Sequence, residues 1–416
     1  MCVTFIAFLF SLTTTTANTY NVVDYGATPS APGDDTAGIQ AALDAALAHA
    51  GTDTVYVPAG VYYVDGIFIG SDTILEGDSR TTTSINLNDN CPSGTSILKN
   101  KTYNDNNITI NKLCFNVRKA YQTGSYIYPA LLRNVSNLTI DDCEFRDSDY
   151  IGLVVDSGLY DSNIHIEDSY ALNNGRRAMY VQSLNDVAGG LSDISFLRCK
   201  TYYNAGGYDA YHCDDVTYTD CIAHHNGLAW GEYAKPGFST DSGENIYYLR
   251  CSSYDNEWHG YATWINANGL RAANHITYDD CDSLRNGEAG FWCSNSHDVT
   301  WTNVCWSTGN QIGLWARSSF DTSNIVENLV AYDCRFDDSD QHGIFLEGVQ
   351  SFLFESNYVR NNSRSESGIY DGIRIEDGVS AASGVYSRDV EIKNGYSFNT
   401  DTNACQSWGG EVSGKQ

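Results

Sequence analysis

Between Gly206 and Cys221 the chain reads GGYDAYHCDDVTYTDC, setting aspartates, a histidine, tyrosines and two cysteines within sixteen residues. Three chemistries suit such a stretch. A carboxylate with a second carboxyl group nearby can protonate and displace at a glycosidic bond, and Asp209 with Glu232 offers that pair; Asp156 or Glu347 can replace either partner. A phenol beside an imidazole, as in Tyr211 and His212, can move a proton on and off carbon. Thiolates and carboxylates together can hold a metal, but no pair of Cys-x-x-Cys units exists, which argues against zinc.

What must position these groups is a repeat. NLTIDDCEF from Asn137, DVTYTDCIA from Asp215, NIYYLRCSS from Asn245 and HITYDDCDS from His275 are four of eleven copies, the first starting at Asn107 and the last at Asp389. Each begins with a turn residue and then alternates apolar and polar residues with a strand period of two. A second short strand follows each turn, as in GLVVD, AMYVQ, GYDAY, GYATW, GFWCS and GLWAR. Strands this short, without helices between them, bury a face only by stacking, so the fold class expected is all-β. The architecture is a single-stranded right-handed parallel β-helix, or solenoid. Cys143, Cys199, Cys221, Cys251, Cys281 and Cys334 share one slot of the repeat, which elsewhere takes Ser, Asn or Gly. That pattern predicts a ladder of small buried thiols rather than disulfides.

Alternation in the second strand sorts its residues. Leu153, Val155, Met179, Val181, Tyr208 and Ala210 are predicted to face the core, as are Ile373 and Ile375 at the far end. The residues between them form two outward columns that include Tyr180, Asp209, Trp292, Trp315 and Arg374, then Asp156, Gln182, Tyr211, Trp264, Arg317 and Glu347. Exposed aromatics mixed with arginines and carboxylates suit a glycan, whose rings stack on aromatic faces while its hydroxyls take polar partners. His212 sits where its strand turns, and His224, His225, His259 and His342 lie at turns on successive coils, with His259 and His342 placed to border the same face.

Composition bounds the partners. The chain has 416 residues, with 24 Lys and Arg against 52 Asp and Glu, a formal charge of −28. Such a chain repels nucleic acid and anionic membranes. The paired aspartates Asp141–Asp142, Asp214–Asp215, Asp279–Asp280 and Asp337–Asp338 make calcium the one cofactor the sequence admits, although Asp is also the usual residue of these turns. Residues 1–17 read as a secretory signal and no later segment is apolar enough to insert in a membrane, so a secreted or cell-surface location is expected. Four sequons, at Asn107, Asn134, Asn137 and Asn361, fit that address. A cap with first strands is expected over 18–75, coils over 76–402, and a tail or linker stub over 403–416. Within the cap, Asp34, Asp35 and Thr36 should start an amphipathic helix over about 37–50 that presents Ile39, Ala42, Leu43 and Leu47.

The cap segment, with DYGA, DDT, IQAALDAA and VYVPAGVY between Asp24 and Tyr62, resembles the N-terminal signature of the pectate-lyase-like β-helix superfamily. Within it, DDVTYTDCIAHHNG and NEWHGY resemble coils of mannuronan epimerases and related polysaccharide lyases, and of the archaeal disaggregatase-related group. The resemblance implies a secreted carbohydrate-active protein. The epimerases carry an Asp-Pro-His-Glu motif; matched to it, Asp209 takes the place of the motif's Asp and Tyr211 that of its catalytic His, with Ala210 for the Pro and Gly206 where the family has Tyr. That match implies proton abstraction at carbon 5 of a uronate by Tyr211 or His212, with Arg118, Lys119 or Lys235 neutralising the carboxylate. Against it stand four acids and two arginines in the outward columns, a poor reception for a polyuronate, which tips the reading toward a hydrolase of an extracellular heteropolysaccharide. A non-catalytic glycan-binding adhesin is the third class.

Overall fold

The computed structural model describes residues 16–30, 33–157, 162–183, 191–227, 236–264, 272–318, 325–362, 364–365, 372–376, 387–398 and 405–408. Its strands form three long sheets in which strands of successive coils pair in parallel, the last strand, Cys405–Trp408, excepted. This is the expected parallel β-helix. Sheet 1 has fourteen strands among the described residues and contains all eleven repeat copies in order. Sheet 2, also of fourteen, takes the three-residue strand after each ladder slot, and sheet 3, of twelve, takes the second strands.

Local sequence explains the corners. The first residue of every copy, from Asn107 to Asp389, has φ between 48° and 62°, the left-handed region that Asn and Asp tolerate best. The second Asp of each acidic pair, Asp142, Asp215, Asp280 and Asp338, is held there too. Their partners are internal: Asp142 pairs with Arg80, Asp214 accepts from the Glu244 amide, Asp279 from Tyr247, and Asp337 from Arg360. The pairs are turn residues.

The interior is built of ladders. Phe196, Tyr218, Tyr248, Tyr278 and Trp301 from sheet 1 stack with centroids 4.8–5.8 Å apart and planes within 9°. Tyr208, Phe238, Tyr261 and Phe291 from sheet 3 form a second stack, 4.7–4.9 Å apart. The two meet edge to face, an arrangement that favours the ring quadrupoles. The cysteine slot is buried and the thiols are free; Cys221, Cys251 and Cys281 each reach a carbonyl of the preceding coil at 3.4–3.5 Å. Cys305 joins this ladder because Asn303 and Val304 both turn left-handed and absorb one extra residue. Cys114 does not: it aligns with Glu144 of the next coil, and Leu113 fills its slot.

A third ladder escaped the sequence reading. Asn174, Asn204, Asn226, Asn256, Asn286 and Asn310 are buried at the corner leading into sheet 3, and each amide donates to the side-chain oxygen of the next at 2.9–3.1 Å. The glycine after that corner has a steric reason, since a Cβ at Gly207 would lie 2.0 Å from the Gly237 carbonyl oxygen.

The capping helix α1 spans Thr36–Ala48. Asp34 accepts from the Thr36 amide, whereas Asp35 turns away to bind the amides of Thr28 and Tyr63, tying the incoming chain to the first coil. Its buried face is Ile39, Ala42, Leu43 and Ala46; Leu47, expected on that face, lies half out against Gly70. At the other end, Cys405–Trp408 is a strand paired antiparallel with Gly395–Phe398, so the segment expected to be a tail contributes to sheet 2. No helix among the described residues is long and apolar enough to cross a membrane.

Candidate functional site

Sheet 3 carries the two outward columns, and its inward residues are those the alternation predicts, except that Ile373 is half-buried and Ile375 is exposed on the last strand. The outward columns are less open than expected. Tyr180 and Trp264 are each only 8% exposed and Asp156 and Asp209 are buried. Side chains on adjacent rungs lie about 4.8 Å apart, so large rings cover one another. Tyr180 packs with Leu131, Ile151 and Val154 in a second apolar cluster flanked by Tyr128, Tyr150 and Tyr211.

The columns also contain a rung the sequence reading skipped. Phe238–Asp241 is a strand between those of Asp209 and Trp264, so Ser239 neighbours Asp209 and Asp241 neighbours Tyr211. Gly237-Phe-Ser-Thr-Asp has the same Gly-led alternation as its neighbours, and that signal could have revealed it.

At the centre, Asp209 accepts from Arg177 Nε in an ion pair whose side chains are 3% and 9% exposed. Arg177 occupies the strand start one rung back, opposite Gly206, and its guanidinium lies 4.6 Å over the Tyr180 ring. Burial works against the Arg177 charge, but Asp209, Tyr180 and Asp241 outweigh it and hold its pKa above the usual arginine range. The other Asp209 oxygen is buried and has no hydrogen-bond partner among the described residues. Burial pushes the Tyr180 phenol far up, so it is a neutral wall.

Tyr211 is half-buried, opposite Gln182 on one side and Asp241 on the other, with its ring 6.3 Å from Tyr180 and 3.9 Å from His212. His212 is buried, left-handed at φ 56°, and its amide donates to the Asp241 carbonyl at 2.8 Å. The structure therefore brings Asp209, Tyr211, His212, Tyr180 and Gln182 together, and adds Arg177 and Asp241, which the sequence reading missed. Arg177 precedes the glycine slot, a position where the repeat is apolar or Gly on most rungs; a charged residue there was the available sign.

Other expected residues lie elsewhere. Glu232 and Lys235 fall outside the described residues. Arg118 pairs with Asp89 at 2.9 Å and Lys119 donates to Asn173, both on the corner between sheets 2 and 3 and not in the columns. Asp156 is tied to Arg133 at 3.1 Å, and burial raises its pKa against that pairing. Trp292 and Trp315 are half-buried further along; Trp315 Nε1 donates to Glu347 at 2.8 Å, with Arg317 3.6 Å from the same carboxylate, and Arg374 pairs with Glu376. His224 is stacked between Tyr202 and Tyr254 on the outside of sheet 2, with His225 beside it, so neither borders the columns. His259 and His342 are buried; His259 accepts from the Ala289 amide and stacks on Trp292, and burial pushes its pKa down to about 3. No group of three metal-ligating side chains occurs among the described residues.

A sequence profile of the family described as rhamnogalacturonase A/epimerase, pectate lyase-like, matches residues 19–227, half of the chain. The chain belongs to this family. The match takes in the capping helix, Arg177 and the Asp209 strand, and ends before Asp241. Mannuronan C5-epimerase AlgE5 of Azotobacter vinelandii is 28% identical over 293 residues, covering 67% of this chain and 23% of that protein. The chain thus spans less than a quarter of the length of this relative. Among solved structures, the A-module of A. vinelandii mannuronan C-5 epimerase AlgE4 aligns over 95% of this chain and 100% of its own, with a TM-score of 0.66 at 21% identity. The N-terminal fragment of bacteriophage phi29 gene product 12 aligns over 94% of this chain and 73% of its own, with a TM-score of 0.58 at 13% identity. At those identities the shared property is the β-helix.

Proposed function

We propose that the chain is a polysaccharide-acting enzyme that abstracts the proton at carbon 5 of a uronate residue, as an epimerase or a lyase. The observation that carries this reading is the contact of Tyr211 with His212, two proton-transfer groups set against a buried Arg177–Asp209 pair and Asp241. One of the two accepts the carbon 5 proton and negative charge moves onto the substrate carboxylate. Return of a proton to the opposite face gives the epimer, and loss of the oxygen at carbon 4 breaks the chain. Arg177 supplies positive charge beneath the developing anion, and Asp209 fixes its position.

Two considerations weigh against hydrolysis by Asp209. Its carboxylate is buried and already held by Arg177 Nε, so it is not free to reach a leaving oxygen. The acid excess that favoured hydrolysis also disappears once the full face is counted. Asp156, Asp209, Asp241, Glu347 and Glu376 are matched by Lys99, Arg133, Arg317 and Arg374 on the columns and Arg177 beside them. The similarity to proteins named as mannuronan epimerases supports the same choice.

The test is incubation of the full chain with polymannuronate and other polyuronates in heavy water. Deuterium at carbon 5 without new ends is the epimerase result, and ultraviolet-absorbing unsaturated ends are the lyase result. Reducing ends alone would establish a hydrolase and overturn the proposal, and binding with no chemistry would establish an adhesin.

A further inference from the structure

The sheet 3 face changes character from one end to the other. On the N-terminal side of Asp209 a cavity of about 260 Å³ is lined by Lys99, Lys101, Arg133, Leu131, Tyr103 and neighbouring backbone. Lys99 is half-buried, and burial followed by the charge of Arg133 lowers its pKa. Two cations that raise each other's energy in a partly desolvated hollow are relieved by an anion. Asp156 answers Arg133 and Asp44 answers Lys101, while the described partner of the Lys99 ammonium is the Gly94 carbonyl at 3.3 Å.

On the C-terminal side the face is aromatic. Trp258, Trp264 and Trp292 lie 5.2–5.9 Å from one another, and Trp315 stacks with Phe345 on the next rungs. The charges among them repel an anion or are already matched. Arg317 faces Glu347, Arg374 is paired with Glu376, and Glu288 lies 3.4 Å from His259 Nε2. Because His259 Nδ1 accepts the Ala289 amide, its Nε2 carries the hydrogen on the side of Glu288. That half-exposed carboxylate accepts a hydrogen bond from Trp258, which holds it beside the indoles. Indole faces with a few oriented acceptors suit the apolar face and hydroxyls of a neutral sugar, whereas a uronate carboxylate finds no unmatched cation among the described residues there.

We infer that this face reads a mixed polysaccharide, with uronate residues over the Lys99–Arg133 end and neutral sugars over the tryptophans. The Lys99 and Trp315 rungs stand four strand steps to either side of Asp209, roughly 19 Å each way at about 4.8 Å per step. A single extended glycan crossing the Asp209 rung therefore touches both regions. The inference rests on the reading that a glycan lies along this face, and it adds the composition and polarity of that glycan.

The experiment titrates the full chain by calorimetry and tryptophan fluorescence with four synthetic decasaccharides: all mannuronate, all glucose, five mannuronates followed by five glucoses, and the reverse order. One block order is expected to bind at least ~10-fold tighter than either uniform decamer, a difference of about 1.4 kcal/mol. Trp315→Ala and Trp258→Ala should each weaken the block and all-glucose decamers several-fold and spare all-mannuronate. Lys99→Ala with Arg133→Ala should weaken the block and all-mannuronate decamers, spare all-glucose and remove the salt dependence. Melting temperatures check that each variant folds, and two separate tryptophans guard against loss of the Glu347 contact in one of them. All-mannuronate binding as tight as the better block, and weakened alike by the tryptophan variants, would overturn the inference. So would equal binding of all four. Absence of deuterium exchange with this binding pattern intact would sink the proposed reaction and leave the inference standing; exchange on mannuronate with binding indifferent to Trp315 and Trp258 would do the reverse.

Discussion

The strand Gly206–Tyr211 has two sides that follow different rules. Inward, Tyr208 and Ala210 continue patterns that run through many coils: Tyr208 is one member of a stack with Phe238, Tyr261 and Phe291. Outward, Asp209 is flanked by Tyr180 and Ser239, and Tyr211 by Gln182 and Asp241, with no residue repeated. A side chain inside gains most by matching the one above and below, because identical rings and amides stack at the strand spacing. A side chain outside is free of that constraint. In a solenoid, chemistry is to be sought where the ladder rule lapses, and Arg177–Asp209 is the most buried ion pair described on sheet 3.

The sharpest way to break the comparison is at that pair. Asp209→Asn should reduce turnover by at least ~100-fold, and it should also destabilise the protein by about 3–5 kcal/mol because it strands a buried guanidinium. The stability cost departs from what an isolated surface carboxylate would give. Replacing both partners, Arg177→Met with Asp209→Leu, should recover most of the stability in denaturant unfolding and none of the turnover. If the single variant unfolds like the wild type, the pair is not buried as described.

The inner side gives the complementary result. Tyr248→Ala removes a fully buried ring from the middle of a stack, together with its 2.7 Å hydroxyl contact to Thr240. It should cost about 3–5 kcal/mol, with activity per folded molecule nearly unchanged. Tyr211→Phe inverts the pattern: kcat should fall roughly 100-fold or more for loss of a proton-transfer group, while the unfolding midpoint barely moves because the ring packing is retained. A Tyr211→Phe enzyme with full activity would place the chemistry on another rung.

The smallest expected effect is on pH. His259 has its pKa pushed down to about 3 by burial, so the folded state resists a proton that the unfolded chain accepts near 6.5. Its contribution is fully present above about pH 6.5 and is lost progressively as pH falls toward 3. Glu288 beside it, with a raised pKa, acts in the opposite sense as pH rises. His259→Gln should flatten the acid limb of the melting temperature against pH over that window. Unchanged slope would mean that other groups set it.

Much of this is legible in the sequence. The eleven copies, their turn residues, the thiol slot and the inward half of each second strand follow from period and residue type, since a stacked coil imposes the same demand at every rung. What was not legible has a common cause. Arg177 reaches Asp209 from the preceding rung, Asp241 reaches Tyr211 from the following one, and the two stand 64 residues apart in the chain. The Asn174–Asn310 ladder was hidden for the same reason, because an Asn between two short strands reads as an exposed turn until the neighbouring coil supplies its partner. The columns proved half-covered because ring overlap depends on rung spacing, which alternation does not encode.

By itself, then, the sequence determined the coil, its corners and which side of each strand faces the core, because these depend on one residue's conformational preference and polarity. Only the tertiary structure decided which outward residues meet. It inserted the Asp241 rung, held Arg118 and Lys119 on the corner between sheets 2 and 3 and tied Asp209 to Arg177. Contacts between rungs are set by register across 22 to 38 residues of intervening chain, and no local preference carries that information.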